Sequence, residues 1–150
     1  MADFVNALIA MPWEKRASAL LEVAGRANET IRASHPQSFK ACEQALAACK
    51  DWLDGKPVTP ESLATYLDAD GRGNPWMQEA VFNGDPSGLN ALIFITMVIG
   101  HIAYISYVNH EKSMYMSEVI SEAGSNIFKS IAEYGTPYGI SEFNFDCGSI

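Results

Sequence analysis

The sequence predicts an all-α fold, and three observations predict it. Five prolines, Pro12, Pro36, Pro60, Pro75 and Pro86, each head a stretch with helical apolar spacing. Proline suits the first helical turn, where its missing N–H would be unpaired anyway. Behind Pro12 and Pro36, apolar residues recur at steps of three and four, the period of one face of a helix. No segment alternates apolar and polar residues over the length of a strand. At 150 residues and 48% apolar side chains, the chain fits a single domain, residues 1–150, and can bury a sizeable core.

The elements follow in order. The first predicted helix, residues 13–34, aligns Trp13, Ala17, Leu20, Leu21, Ala24 and Ile31. The second, residues 36–54, starts just after Ser34 and aligns Phe39, Cys42, Leu46, Cys49 and Leu53. Gly55 stops it, because glycine accepts the left-handed turn that ends a helix. Two shorter helices, residues 60–67 and 75–82, follow Thr59 and Asn74, side chains that cap free N–H groups. Asp85 caps a long helix over residues 86–110, which contains a run of 20 residues, 89–108, without Asp, Glu, Lys or Arg. A last helix, residues 113–134, carries Met116, Ile120, Ala123, Ile127 and Ile131 on one side and closes at Gly135. Its remaining apolar surface suits either the core or a dimer. The tail, residues 136–150, reads as irregular or as a short strand.

The uncharged run is long enough to span a membrane. It is interrupted by Asn90, Thr96, Gly100, His101 and Ser106, and no basic residue precedes it nearer than Arg72. The reading is therefore the central helix of a bundle, with no membrane partner and His101 as a core histidine bonded to a neighbour. Cys42 and Cys49 would be separated by about 10.5 Å of helical rise, too far for a disulfide. They read as small core residues. With Cys147 the count is odd, which suits a reducing cytoplasm. Met1-Ala2-Asp3-Phe4 lacks the basic start of a signal peptide. There is no His-Glu-x-x-His, Gly-x-Ser-x-Gly, Gly-x-Gly-x-x-Gly or phosphate loop. Accordingly no enzyme activity, catalytic residue or cofactor is expected.

Charge is unevenly distributed. Residues 1–50 carry 5 acidic and 6 basic side chains, and residues 51–150 carry 13 acidic and 4 basic, for a net charge of −8. Such a surface repels nucleic acid and anionic lipid and attracts a basic protein face. Charge of this size also serves plain solubility. Within the acidic part, Asp68, Asp70, Gly73 and Glu79 fall at positions 1, 3, 6 and 12 of an EF-hand-like calcium loop. An alternative reading is thus a calcium module held by Asp68, Asp70, Asn74 and Glu79. Arg72 and Pro75 depart from that pattern, since one brings a positive charge to a ligand position and the other lacks a backbone N–H.

The segment Cys49-Lys50-Asp51-Trp52-Leu53-Asp54-Gly55-Lys56-Pro57-Val58, followed by Leu63 and Tyr66-Leu67-Asp68, together with Ala103-Tyr104-Ile105-Ser106-Tyr107, resembles the immunity-six family of bacterial polymorphic-toxin immunity proteins. The likeness covers roughly residues 13–112 and rests on helix order and a few aromatic positions. The resemblance implies a cytoplasmic inhibitor that binds a cognate secreted toxin domain, often a nuclease, and carries no catalytic set. Nuclease domains tend to be basic because they hold phosphate, so an acidic inhibitor fits. The partner-binding residues expected are Asp51, Asp54, Asp68, Asp70, Trp76, Glu79 and Asp85, with Trp52 either joining them or buried in the core. Tyr138, Glu142, Phe143, Phe145 and Asp146 form a second expected epitope.

Overall fold

Prolines and a few side-chain caps set several of the helix starts. A computed structural model describes residues 2–68, 75 and 82–142. Its helices are α1 (Ala2–Ala10), α2 (Trp13–Glu29), α3 (Pro36–Leu53), α4 (Pro60–Asp68), α5 (Pro86–Asn109), α6 (Glu118–Ser121) and α7 (Phe128–Gly135). Short 3-10 turns at Ser113–Tyr115, Ser125–Ile127, Thr136–Tyr138 and Ile140–Glu142 complete it, and no strand occurs among the described residues. The Thr59 hydroxyl accepts from the Ser62 N–H at 3.1 Å, and the Asp85 carboxylate accepts from the Gly88 N–H at 3.0 Å. Both caps stand where the sequence places them. Asn74 lies outside the described residues.

α5 is the axis of the molecule. It packs against α2, α3, α4, α6 and α7. By length and composition it could cross a membrane, but 72% of its most apolar window is buried inside the protein. A helix apolar on all sides is stable only when neighbours cover it, and here Leu92, Phe94, Ile95, Val98, Ile99 and Ile102 are fully covered. One hydrophobic cluster runs from Leu8 through α5 to Ile140. Cys42 and Cys49 are free thiols inside it, and burial pushes both thiols up to about 12.

The structure departs from the sequence expectations at several points. α1 has no counterpart in the sequence reading, which assigned no helix before Trp13. It is held from outside: the Arg16 guanidinium donates to the carbonyls of Leu8 and Met11, both at 3.1 Å, satisfying acceptors that a helix end leaves open. α2 stops at Glu29 rather than at Ser34, and residues 30–34 form turns in which Thr30 and Ile31 bond back three residues. Pro36 keeps His35 out of helical geometry, at φ −135°, so α2 cannot run on into α3. Ser34 supplies no cap, because His35 occupies that position without a side-chain bond.

The predicted helix over residues 113–134 is broken into α6, α7 and two 3-10 turns. Ser117 starts α6 by accepting from the Ile120 N–H. Gly124 then passes so close to the Tyr104 ring that a Cβ would sit 3.0 Å from it. The inward stripe survives the break: Ile120, Ala123 and Ile131 are buried. The described beginning of the tail is not a strand. Residues 136–142 turn back as 3-10 segments, with Ile140 buried and Tyr138 against the Phe94 ring at 5.7 Å. Asn90 clamps this return by donating to the Tyr134 carbonyl and the Tyr138 hydroxyl.

Candidate protein-binding surface

The end of α3 brings together the first expected site residues. The chain leaves the helix through a turn in which Gly55, at φ 87°, donates to the Trp52 carbonyl and Lys56 donates to the Asp51 carbonyl, both at 3.0 Å. The turn folds Lys56 onto the Asp51 carboxylate at 3.2 Å, while Lys50 reaches Asp54 at 3.6 Å. Trp52 points the other way and is buried, 5.4 Å from the Trp13 ring. Its indole N–H reaches His110 only at 3.5 Å. Both carboxylates of this end are thus already matched by lysines. Between α2 and α3, Ser18, Leu21, Glu22, Lys50 and Leu53 line a groove of about 300 Å³ that carries both signs of charge.

Asp85 is committed to the fold. Besides capping α5, it meets His35 Nε2 at 2.8 Å, and the His35 ring rests on Phe82 at 4.1 Å. The Gly88 amide and, second, His35 hold its carboxyl below the usual carboxylate range. Asp68 ends α4. Asp70, Trp76 and Glu79 lie outside the described residues, as does most of the calcium alternative. Among the described residues no group of three or more His, Cys, Asp or Glu could hold a metal ion. Of the second epitope, Tyr138 is half-buried under Asn90, Glu142 closes the last 3-10 turn, and Phe143, Phe145 and Asp146 lie outside the described residues.

His101 is a core histidine bonded to its neighbours. Arg16 Nε donates to His101 Nε2 at 3.1 Å, which leaves the proton on Nδ1 to be donated to the Ala123 carbonyl at 2.9 Å. The Phe128 ring meets both, edge-on to His101 at 4.9 Å and beneath the Arg16 guanidinium at 5.0 Å. Burial, with the Arg16 charge adding to it, lowers the His101 imidazole to about 4. This junction ties α1, α2, α5 and α7 together, with the His101 ring buried.

The surface that the sequence reading missed lies at the other end of α5. Met114 is 82% exposed, Tyr115 70% and Val119 55%, a concentration of large apolar groups in one connection. Exposed Glu111, Glu118 and Glu122 stand in the same stretch, and among the described residues none has an ionic partner. Beside it, Leu67, Ile93, Met97, Gly100, Val119 and Ile127 line an open apolar groove of about 300 Å³ between α4, α5 and α6. The only signal in the sequence was the unused apolar surface of residues 113–134. Helical spacing hid the exposed face because it assumed an unbroken helix. No protein-family model, no curated protein and no solved structure matches this chain.

Proposed function

We propose that this chain is an immunity protein that binds and neutralises a cognate secreted bacterial toxin domain of basic, nuclease type, working in the cytoplasm without an enzymatic activity of its own. One observation carries the reading beyond the sequence resemblance: the connection after α5 presents Met114, Tyr115 and Val119 to solvent among exposed Glu111, Glu118 and Glu122, which have no ionic partner among the described residues. Apolar and aromatic groups in solvent are costly unless a partner covers them, and they are the groups that anchor protein interfaces. Carboxylates around them speed encounter with a basic face and disfavour neutral or acidic ones. The segment that carries the family resemblance supports the same assignment less directly. Its Trp52, Gly55 and Lys56 build a helix end rather than a contact surface.

Co-expression tests the proposal. The reading frame adjacent to this gene is expressed in a sensitive host with and without the chain. Growth only in its presence, with a complex that co-purifies, is the expected outcome. A neighbour that is harmless, or that kills regardless, defeats it.

A further inference from the structure

We propose that the groove between α4, α5 and α6 is the docking site for an amphipathic helix with basic flanks, carried by the protein partner. The inference rests on the reading of the chain as a binding inhibitor and names how it grips. The floor of the groove is one face of α5, where Ile93, Met97 and Gly100 follow each other at steps of four and three. That is the spacing at which two helices interdigitate. At Gly100 the floor has no side chain, and a Cβ there would already meet Ala123 at 3.2 Å and Leu67 at 3.4 Å. One wall is Val119, whose side chain stands half in solvent.

Chemistry selects the occupant. Among the described residues the lining offers one polar side chain, Thr96, and its hydroxyl is turned back to the Ile93 carbonyl at 2.9 Å. A small molecule would find nothing to orient it. A second copy would bring another net charge of −8 against the exposed Glu118 and Glu122. An apolar helix face bordered by lysine or arginine satisfies both the lining and the rim.

A second observation concerns the connection that leads from α5 to the Val119 wall. Glu111 ends α5 at φ 58°, the left-handed turn in which its N–H reaches Val108 O and the Lys112 N–H reaches Tyr107 O. The equivalent position after α3 is Gly55. A side chain in this conformation is strained, and such strain collects where a site needs the group it holds. Here it keeps a carboxylate at the start of the exposed connection.

The test titrates the whole protein, observed by amide and methyl NMR, with a synthetic leucine–lysine amphipathic peptide about five turns long. A leucine–glutamate peptide of the same pattern is the control. Shifts at Ile93, Met97, Val119 and Ala123 with the lysine peptide alone are expected. Val119→Lys, and separately Glu118→Lys with Glu122→Lys, should each weaken binding about tenfold or more. These positions are exposed, so the variants keep the fold. Absence of binding, equal binding of both peptides, or shifts confined to other faces overturns the inference. So do Val119 shifts that depend on protein concentration alone, which would seat a second copy, and methyl contacts from Val119 to residues 69–81, which would seat the chain itself. Co-expression of Val119→Lys with the neighbouring reading frame separates the two levels. If the wild type rescues and the variant rescues equally, the groove fails and the immunity reading stands. If the lysine peptide binds in the groove but the wild type does not rescue, the reverse holds.

Discussion

The ends of α3 and α5 are built on one hydrogen-bond pattern and serve opposite ends. In each, a residue in left-handed conformation bonds back three residues, and its successor bonds back five. After α3 that residue is Gly55, the tryptophan of the last turn is buried, and both aspartates are matched by lysines. After α5 it is Glu111, the following methionine and tyrosine stand in solvent, and the nearby glutamates have no ionic partner among the described residues. Everything at the first end lowers the energy of the fold. At the second, strain, exposed apolar area and unbalanced charge all raise it, and a protein tolerates such a place when binding recovers the loss. Of the residues the sequence marks for binding, only Asp51 and Asp54 stand at the first end.

The largest effect should separate the two ends most sharply. Trp52→Ala removes a buried ring from beneath Trp13 and leaves a cavity, and should cost about 3–5 kcal/mol in urea denaturation. Tyr115→Ala should change stability by no more than about 0.5 kcal/mol. A large loss from Tyr115→Ala would mean that the exposed connection is itself structural.

Acid should weaken the helix that both ends depend on. His101 sits near the middle of α5 and stays neutral in the fold down to about 4, against 6.5 for a free imidazole. Above 6.5 neither folded nor unfolded chain holds the proton, so the term is silent. Between 6.5 and 4 the unfolded chain binds it and the fold does not, so stability falls as pH falls, by about 3 kcal/mol across the window. Asp85, whose carboxyl is held low by its cap and His35, adds loss in the same direction at the acid end. His101→Leu should flatten the slope between pH 6.5 and 4 relative to the wild type. An unchanged slope would remove His101 as the titrating group.

How much of this was legible follows from the physics of each element. α3, α4 and α5 could be read to within a residue or two because their starts depend on local chemistry: Thr59 and Asp85 cap through their own side chains, and proline sets the first turn. α1 could not be read that way, since its end is closed by Arg16, a partner supplied by the next helix. The break in residues 113–134 depends on Tyr104 standing against Gly124, a long-range contact that no period records. The site followed the same rule. Acid density in the sequence points to Asp51 and Asp54 along with Asp68, Asp70, Glu79 and Asp85, but whether a carboxylate such as Asp51 or Asp54 is available depends on which lysine folds onto it.

A reciprocal exchange tests the strain directly. Gly55→Ala meets no atom within 4 Å, so its whole cost is the left-handed backbone, about 1 kcal/mol. Glu111→Gly relieves the same conformation and should gain up to about 1 kcal/mol. It also deletes a carboxylate from the exposed connection, so partner affinity should fall while thermal stability rises. If both stability and affinity rise together, Glu111 is merely a poor helix end and takes no part in binding.

The smallest effect on stability discriminates most cleanly between the two ends as binding faces. Lys50→Ala and Lys56→Ala each break one exposed ion pair, and pairs of this kind contribute within about 0.5 kcal/mol. Each substitution also unmasks an aspartate. If a basic partner docked on the end of α3, stripping away the lysines would strengthen the attraction, and association measured at low salt would accelerate. If the partner docks beside α5, the change is felt only through net charge, and the rate should rise by the same small factor as for loss of a lysine elsewhere, such as Lys40→Ala. A rate that rises further for Lys50 and Lys56 than for Lys40 returns the binding face to Asp51 and Asp54, and the groove beside α5 then has no claim on the partner.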